Sequence, residues 1–229
     1  MYRKSSVSDL LVEPEPVLKI GRPERARAEI QNAAVRFLWS RPFREMTVNK
    51  LMAQTSLSRA AFYYHFADIH DLMETMLGRL QIDVMAGVSP WLSEEGDPVA
   101  LLYQSLSAEV ELSYTRGPLL KAFSDSAGFD KRMEEAWYGF LDSFDDAVAE
   151  RISADQEQGL IDPLDARLIA TTLNHADAAL YIRAFGSKPR RQRGQVLRAI
   201  ARVWISTLYG RRWVENRAST LYREQSQEK

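Results

Sequence analysis

The segment Ser56–Phe66, SLSRAAFYYHF, holds the side chains of this chain that are best suited to contact another molecule. It has four aromatic rings, an arginine and a histidine within eleven residues, and no glycine or proline. On a helix that turns about 100° per residue, Phe62 and Phe66 share one face and are expected to enter a core. The exposed face is then predicted to carry Arg59, Ala60, Ala61, Tyr63, Tyr64 and His65.

The elements around this segment indicate a helix-turn-helix. Thr47 can cap a short helix, a turn follows, and a second short helix runs from Ser58 to about His65. Small residues, an arginine and hydroxyl groups near the start of the second helix suit the major groove of DNA, where base edges and phosphates are contacted. A three-helix bundle with an idle polar surface is the alternative.

The charge distribution is compatible with a polyanionic partner for one segment only. The 229 residues have a net charge of -1, yet residues 19–80 carry ten Lys/Arg and six Asp/Glu, whereas residues 81–229 carry eighteen and twenty-two. An ordinary mixed-charge surface could give the same counts, so this asymmetry needs the support of a motif.

The composition excludes several classes of function. The absence of cysteine excludes thiol catalysis, disulfides and cysteine-bound zinc, and His65, His70 and His175 are spaced too widely to suggest a ligand motif. We therefore expect no metal and no cofactor. No apolar run approaches the roughly 18 residues of a membrane span, and the first residues lack a signal-peptide pattern. A cytoplasmic protein without membrane contact is predicted.

Apolar periodicity predicts an all-α fold with two domains. Residues 1–18 look like a flexible tail, residues 19–68 form a three-helix domain that contains the helix-turn-helix, and residues 69–229 form a larger helical domain. Prolines are used to place the helix ends. The helix capped by Asp68 is predicted to end before Pro90, and Pro118 is predicted to begin a short separate helix.

Two helices of the larger domain carry clear apolar stripes. The helix from Asp130 to about Gln156 buries one stripe, with Asp145 toward the other side. The last helix has two adjacent stripes, of which one can pack inside while the other meets a second copy of the chain. The stripes are Met133, Trp137, Leu141, Phe144, Val148 and Ile152; Val196, Ile200, Val203, Trp204 and Leu208; and Leu197, Ala201 and Ile205.

Residues 46–72, MTVNKLMAQTSLSRAAFYYHFADIHDL, closely resemble the helix-turn-helix of TetR-family transcriptional regulators. The matching positions are Thr47, Ala53, Ser58, Phe62, Tyr63, Tyr64, His65 and Phe66. Three positions depart from the family pattern. Ser56 stands where the turn often has Gly, Ala61 where a phosphate-binding Thr is usual, and Ile69 where a Lys often begins the fourth helix.

This resemblance implies a homodimer that binds a palindromic double-stranded DNA operator and acts as a ligand-responsive regulator, most simply a repressor. Arg59 and Tyr64 would read bases, while Tyr63 and His65 would hold phosphates. Arg22, in a basic arm with Lys19, Arg25 and Arg27, would enter the adjacent minor groove, although an idle polar arm explains it equally well. The predicted DNA contacts are Arg22, Thr47, Ser58, Arg59, Ala60, Tyr63, Tyr64 and His65.

The larger domain resembles the ethionamide-resistance-regulator branch of the family. The resemblance lies in LIATTLNHADAALY, residues 168–181, and ARVWISTLYG, residues 201–210, and implies a long, largely apolar pocket for a small apolar effector between the helices. Asn174 and Trp204 match that branch, while Asp177 replaces a second polar amide and admits a ligand with a donor or positive group. Ordinary core packing is the alternative for each aromatic residue. The predicted lining is Tyr103, Leu106, Val110, Tyr114, Trp137, Leu141, Phe144, Val148, Asn174, Asp177, Tyr181, Trp204 and Leu208.

An enzyme and a protein-interaction module are the two alternatives to a transcriptional regulator. An enzyme would need an acid–base or nucleophile set, and the only pair in view, His175 and Asp177, lies two residues apart on a helix and faces different ways. We therefore predict no enzymatic activity. A helical protein-interaction module without DNA binding is the other alternative, and the departures at Ala61 and Ile69 favour it if those phosphate contacts are decisive.

Overall fold

Eight α-helices and one short 3-10 helix, Phe43–Glu45, form the part of the chain that the computed structural model describes, residues 21–93 and 95–210. The α-helices are α1 Arg22–Leu38, α2 Val48–Met52, α3 Arg59–His65, α4 Ile69–Ser93, α5 Pro98–Ser126, α6 Lys131–Glu157, α7 Ala166–Phe185 and α8 Arg193–Leu208. These residues contain no strand, so the all-α prediction is confirmed. The predicted tail and Lys19 lie outside the described residues.

Helices α1, α2 and α3 pack around a small apolar centre to which Ile30, Leu51 and Phe62 contribute fully buried side chains. The two short helices begin at hydroxyl caps. The Thr47 Oγ1 accepts a hydrogen bond from the Lys50 N–H at 3.3 Å, and the Ser58 Oγ accepts one from the Ala61 N–H at 3.2 Å. Such caps fix where each helix starts and therefore which way its side chains point.

The turn between α2 and α3 is tied to α1 through Ser56. The Ser56 N–H and hydroxyl both donate to the Glu29 Oε1, at 2.7 and 3.0 Å. Outside glycine, no described residue has a positive φ, so this turn has no left-handed position that would require Gly. The departure from the family pattern at Ser56 is therefore accommodated by a side-chain contact.

Helix α4 does not end before Pro90, as the sequence suggested, but continues to Ser93. A proline inside a helix removes a hydrogen bond and opens the preceding turn. Here the Ser105 hydroxyl of α5 fills the gap, because it accepts from the Trp91 N–H at 3.1 Å and donates to the Val88 carbonyl at 3.2 Å. Trp91 is buried just beyond the proline, which favours the continued helix.

Helix α5 is likewise continuous through Pro118, where the sequence suggested a new helix. A proline at 118 leaves the Tyr114 carbonyl without its helical donor, and the Arg190 guanidinium donates to that carbonyl at 2.8 Å. The neighbouring Gly117 lies against α7, since a Cβ there would come within 2.3 Å of the Phe185 carbonyl oxygen. Packing from distant residues therefore overrides the local break.

Helix α5 lies at the centre of the larger bundle, in contact with α4, α6, α7 and α8. The apolar stripe of α6 is buried as predicted, with Phe144 only partly covered. The prediction for Asp145 was wrong. It is 1 % exposed, because its carboxylate accepts hydrogen bonds from the Thr171 hydroxyl and the Asn174 amide of α7.

Both predicted stripes of α8 are buried within the chain, apart from Val203, which is 51 % exposed. The stripe assigned to a second copy, Leu197, Ala201 and Ile205, is therefore covered by the chain itself. The outward face of α8 instead carries Arg198, Ala199, Arg202, Val203 and Ser206. None of the described helices is long and apolar enough to cross a lipid bilayer.

Candidate DNA-binding surface and effector cavity

The outward face of α3 is a polar, aromatic surface. Tyr64 is 76 % exposed and Tyr63 is 51 % exposed, while Phe62 and Phe66 on the opposite face are buried as predicted. The Arg59 guanidinium lies 3.5 Å from the Tyr63 hydroxyl and 5.9 Å from the centre of its ring. This pair holds a positive charge beside an exposed hydroxyl at the start of α3.

The other predicted DNA contacts surround this pair. Ala60 is exposed and leaves room for close approach, and Arg22 is exposed at the first turn of α1. His65 is half-buried, with its ring edge-to-face with Tyr64 at 4.9 Å. Thr47 and Ser58 are exposed, but each hydroxyl oxygen already accepts a capping hydrogen bond, so each has its O–H to donate outward.

A narrow apolar cavity lies between five helices of the larger bundle. Its volume is about 60 Å³. Its wall consists of Leu80, Val84, Val88, Trp91 and Leu92 of α4; Leu102, Ser105, Leu106, Glu109, Ser113 and Leu120 of α5; Phe140, Leu141, Phe144 and Val148 of α6; Asn174, Ala178 and Tyr181 of α7; and Trp204 of α8.

Seven of the residues predicted to line an effector site form part of this wall, and six do not. Those in the wall are Leu106, Leu141, Phe144, Val148, Asn174, Tyr181 and Trp204. Those outside it are Tyr103, Val110, Tyr114, Trp137, Asp177 and Leu208. Tyr114 instead lies 3.6 Å below the Arg190 guanidinium, and the Trp137 ring stacks on Phe140 at 5.8 Å. Asp177 accepts a hydrogen bond from the Trp204 indole N–H at 2.7 Å, behind the wall.

Sequence reasoning missed the contribution of α4 and of Glu109. A helix that ends before Pro90 excludes Trp91 and Leu92 from the lining, although the four-residue spacing of Leu80, Val84 and Val88 is a usable signal for α4. Glu109 is absent from the predicted lining, and acids usually face solvent. It is half-buried at the cavity wall, and burial raises its pKa to about 7.

The acidic residues around the cavity form two groups that differ in their partners. Asp145 pairs with Thr171 and Asn174, and the Arg167 guanidinium lies 4.0 Å from it. Asp177 has only the Trp204 indole as a hydrogen-bond donor in the described structure, and burial together with the negative charge of Glu109 raises its pKa.

One group of described residues has the geometry to hold a metal ion. Asp142, Asp145 and His175 each place a ligand atom within 4.8 Å of the others. The sequence-based exclusion of a metal site depended on the absence of cysteine and the spacing of the histidines. It therefore missed this group, which joins α6 to α7. We assign no ion to it, because Asp142 is exposed and both oxygens of Asp145 already accept hydrogen bonds.

Two family models match the chain in the regions that contain these sites. Residues 30–76 match the model for bacterial regulatory proteins of the tetR family, and residues 104–210 match that for the C-terminal domain of the transcriptional regulator EthR. The chain belongs to the TetR family of transcriptional regulators. It falls in the EthR-like branch, and its helix-turn-helix is the DNA-binding element of a transcriptional regulator.

Named relatives and solved structures are similar to this member of the TetR family over most of its length. The HTH-type transcriptional regulator EthR of Mycolicibacterium smegmatis is 22 % identical over 186 residues, which cover 80 % of this chain and 86 % of that protein. EthR of Mycobacterium tuberculosis is 23 % identical over 181 residues, 77 % and 84 % of the two chains.

Among solved structures, Salmonella enterica GusR has a TM-score of 0.67 at 17 % identity, over 83 % of this chain and 98 % of its own. The regulatory protein TetR from Rhodobacter sphaeroides has a TM-score of 0.66 at 16 % identity, over 80 % and 98 %. These likenesses concern the fold.

Proposed function

We propose that this regulator is a repressor that binds a palindromic operator as a homodimer and is released by a small, largely apolar effector. DNA would be contacted by the eight predicted residues: Arg22, Thr47, Ser58, Arg59, Ala60, Tyr63, Tyr64 and His65. Arg59 and Tyr64 would contact base edges, because they stand at the exposed face of α3. The hydroxyls of Thr47 and Tyr63 and the ring of His65 would contact phosphates.

The observation that carries the release mechanism is the course of α4. Its first turn follows α3 and is capped by Asp68, whose carboxylate accepts from the Asp71 N–H at 2.7 Å. Further along, the same helix supplies Leu80, Val84 and Val88 to the cavity wall. One rigid helix therefore joins the DNA-binding surface to the cavity.

Additional contacts join the start of α4 to α6, and the end of α1 to the segment before α8. The Arg132 guanidinium of α6 bonds to Asp68 at 2.9 Å and to Glu74 at 2.8 Å. At the other side, the Trp39 ring lies 5.3 Å from both the Lys188 ammonium and the Arg190 guanidinium. A displacement of α4 or α6 would therefore be transmitted to α3.

The small volume of the cavity supports a wedge-like effect of the ligand. A cavity of about 60 Å³ is too small for an elongated molecule, so binding would have to separate α4 from its neighbours. Half-sites lie about 34 Å apart on one face of the duplex, and a shift of a few ångströms would misalign the second α3 when the first is seated.

A homodimer would use the outward faces of α7 and α8. Leu168 is 62 % exposed and Val203 51 % exposed, and Ala176 and Ala179 on α7 allow close approach of a second helix. A two-fold arrangement of these faces would place two copies of α3 on a two-fold operator. Light scattering at micromolar concentration is expected to give twice the mass of the chain, and a monomer that stays monomeric on DNA would contradict the proposal.

The release step is tested by thermodynamic reciprocity. An operator selected from random duplexes, and apolar compounds that change the tryptophan fluorescence of the protein, provide the two ligands. Coupling of about 1 to 3 kcal/mol is expected, so the operator should weaken effector binding by the same factor as the effector weakens operator binding. Equal effector affinity with and without operator would refute release while leaving the cavity as a binding site.

A further inference from the structure

Two acidic side chains lie at or behind the wall of the cavity, although the rest of that wall is largely apolar. Glu109 borders the space directly, and Asp177 lies behind the wall on the Trp204 indole. A carboxylate in apolar surroundings loses its hydration and is strongly unfavourable unless an opposite charge or several donors compensate it. Asp177 has one donor, so compensation within the chain is incomplete.

No basic side chain is among the residues that form the wall in the described structure. Arg151 lies near the aromatic part of the wall, with its guanidinium 5.8 Å from the centre of the Trp91 ring, but it pairs with Asp155 at 3.0 Å. The Trp91 indole in turn donates to Tyr209, whose hydroxyl donates to Asp155. This separate network accounts for the Arg151 charge, and no ion pair joins Glu109 or Asp177 to a cation within residues 21–93 and 95–210.

A third polar group points to a missing partner at the same place. Tyr181 is 2 % exposed and forms part of the wall, and its hydroxyl makes no hydrogen bond of normal geometry although it lies near Glu109. Buried hydroxyls are nearly always bonded. A poorly bonded hydroxyl beside two carboxyls that are not paired with a cation in the described structure is the surrounding expected for a positively charged group.

The aromatic wall suits the same kind of ligand. Trp91 and Trp204 meet edge-to-face with centres 5.8 Å apart, and Trp204 carries the indole that binds Asp177. Aromatic faces attract organic cations, most strongly where water is excluded. Leu80, Val84 and Leu141 offer only hydrocarbon to the remainder of a ligand.

We propose that the cavity selects an amphiphilic organic cation, whose ammonium group lies at Glu109 and Tyr181 with Asp177 behind them and whose apolar body extends between α4 and α6. This inference rests on the proposed role of the cavity as the effector site and narrows the class of effector. Such a ligand differs from the apolar effector predicted from the sequence only at its charged end. The charge of the acid pair is satisfied by the ligand, and the hydrocarbon part fills the space that the helices yield.

The raised pKa of Glu109 gives the proposal a second observable. The titratable groups that face Glu109 are Asp177 and Tyr181 of α7, and the wall residues of α4, α6 and α8 include none. A permanently charged ammonium binds best when Glu109 is ionised, so its affinity should rise between pH 6 and pH 8. A neutral ligand should show no such rise.

Three probes of equal chain length separate charge from hydrophobicity: an alkyltrimethylammonium, the corresponding alcohol and the corresponding carboxylate. Binding to the full chain is measured by calorimetry below the concentrations at which the probes form micelles. We expect the ammonium to bind at least about tenfold tighter than the alcohol. Glu109→Gln should remove most of that preference and the pH dependence, whereas Glu111→Gln, which makes the same change at an exposed residue of α5 outside the wall, should preserve both.

The outcomes distinguish this inference from the proposed function on which it rests. If the alcohol binds as tightly as the ammonium, and Glu109→Gln alters neither, the cation inference is overturned and an effector cavity for neutral ligands stands. If Asp177→Asn and Glu109→Gln both fold and both retain the full ammonium preference, the assigned contacts are wrong. If no probe binds the wild type, both the inference and the effector role of this cavity are contradicted.

Discussion

The outward face of α3 and the wall of the apolar cavity are built in different ways. The face of α3 comes from a single helix of seven residues, positioned by the Ser58 cap and by Phe62 in the core below. The cavity wall comes from five helices, and each side chain in it depends on how two or more helices meet. Substitutions on the outward face of α3 should therefore act on binding alone, whereas substitutions at the cavity should change stability and binding together.

The largest effect is expected from removing the residue that anchors α3. Phe62 is 0 % exposed, and Phe62→Ala would leave a cavity in the small core, at a cost of roughly 3 to 5 kcal/mol. The first three helices should unfold at lower urea concentration, and operator binding should be lost. Tyr64→Ala, which removes a ring that is 76 % exposed, is the matched control and should leave stability within about 0.5 kcal/mol. Equal destabilisation by the two changes would contradict the contrast between the faces.

The second effect concerns the cavity and its dependence on pH. Burial raises the pKa of Glu109 from 4.5 to about 7, so the folded chain keeps a proton that the unfolded chain has released. Stability should therefore fall as the pH rises from about 4.5 to about 7, by up to roughly 3 kcal/mol. Glu109→Gln should abolish this fall. Urea unfolding of the wild type and of Glu109→Gln at pH 5 and pH 7.5 measures the difference. If both proteins lose the same stability between these pH values, folding does not raise the pKa of Glu109.

Helical periodicity alone was sufficient to place the residues of α3. The burial of Phe62 and Phe66 and the exposure of Tyr63 and Tyr64 follow from a 100° step and the position of Ser58, all within one short segment. The same reasoning found the buried stripe of α6. Where one element decides a residue's surroundings, the sequence is an adequate guide.

The cavity wall could not be predicted in the same way, because distant contacts decide it. Ser105 and Arg190 supply hydrogen bonds that let helices continue through Pro90 and Pro118, and neither residue is near those prolines in sequence. The helix through Pro90 brings Trp91 into the wall, while the direction of Asp145 is set by Thr171 and Asn174 of α7. Local propensity contains no information on these partners.

The third effect tests base reading by α3. Arg59→Ala is expected to cost about 1 to 3 kcal/mol of operator affinity and to relax the preference at one base pair, because a guanidinium that binds a base edge carries sequence information. Tyr63→Phe should weaken binding to all DNA sequences by similar factors, since a phosphate contact carries no sequence information. Affinity for the operator and for a panel of single-base variants is measured for both proteins. Uniform weakening by Arg59→Ala would make Arg59 a phosphate contact.

The smallest effect is expected in the turn before α3. Ser56 bonds to Glu29 through both its N–H and its hydroxyl, so Ser56→Ala should cost about 0.5 to 1.5 kcal/mol, the usual net value of one hydrogen bond. Ser56→Gly introduces the residue common in the family, but it should cost more than Ala, because glycine adds backbone entropy to the unfolded chain and no positive φ here rewards it. Thermal unfolding of the two variants, with Glu29→Gln as a control for the shared acceptor, measures the order. If Ser56→Gly proves more stable than Ser56→Ala, the turn favours glycine after all, and the contact with Glu29 contributes little to the position of α3.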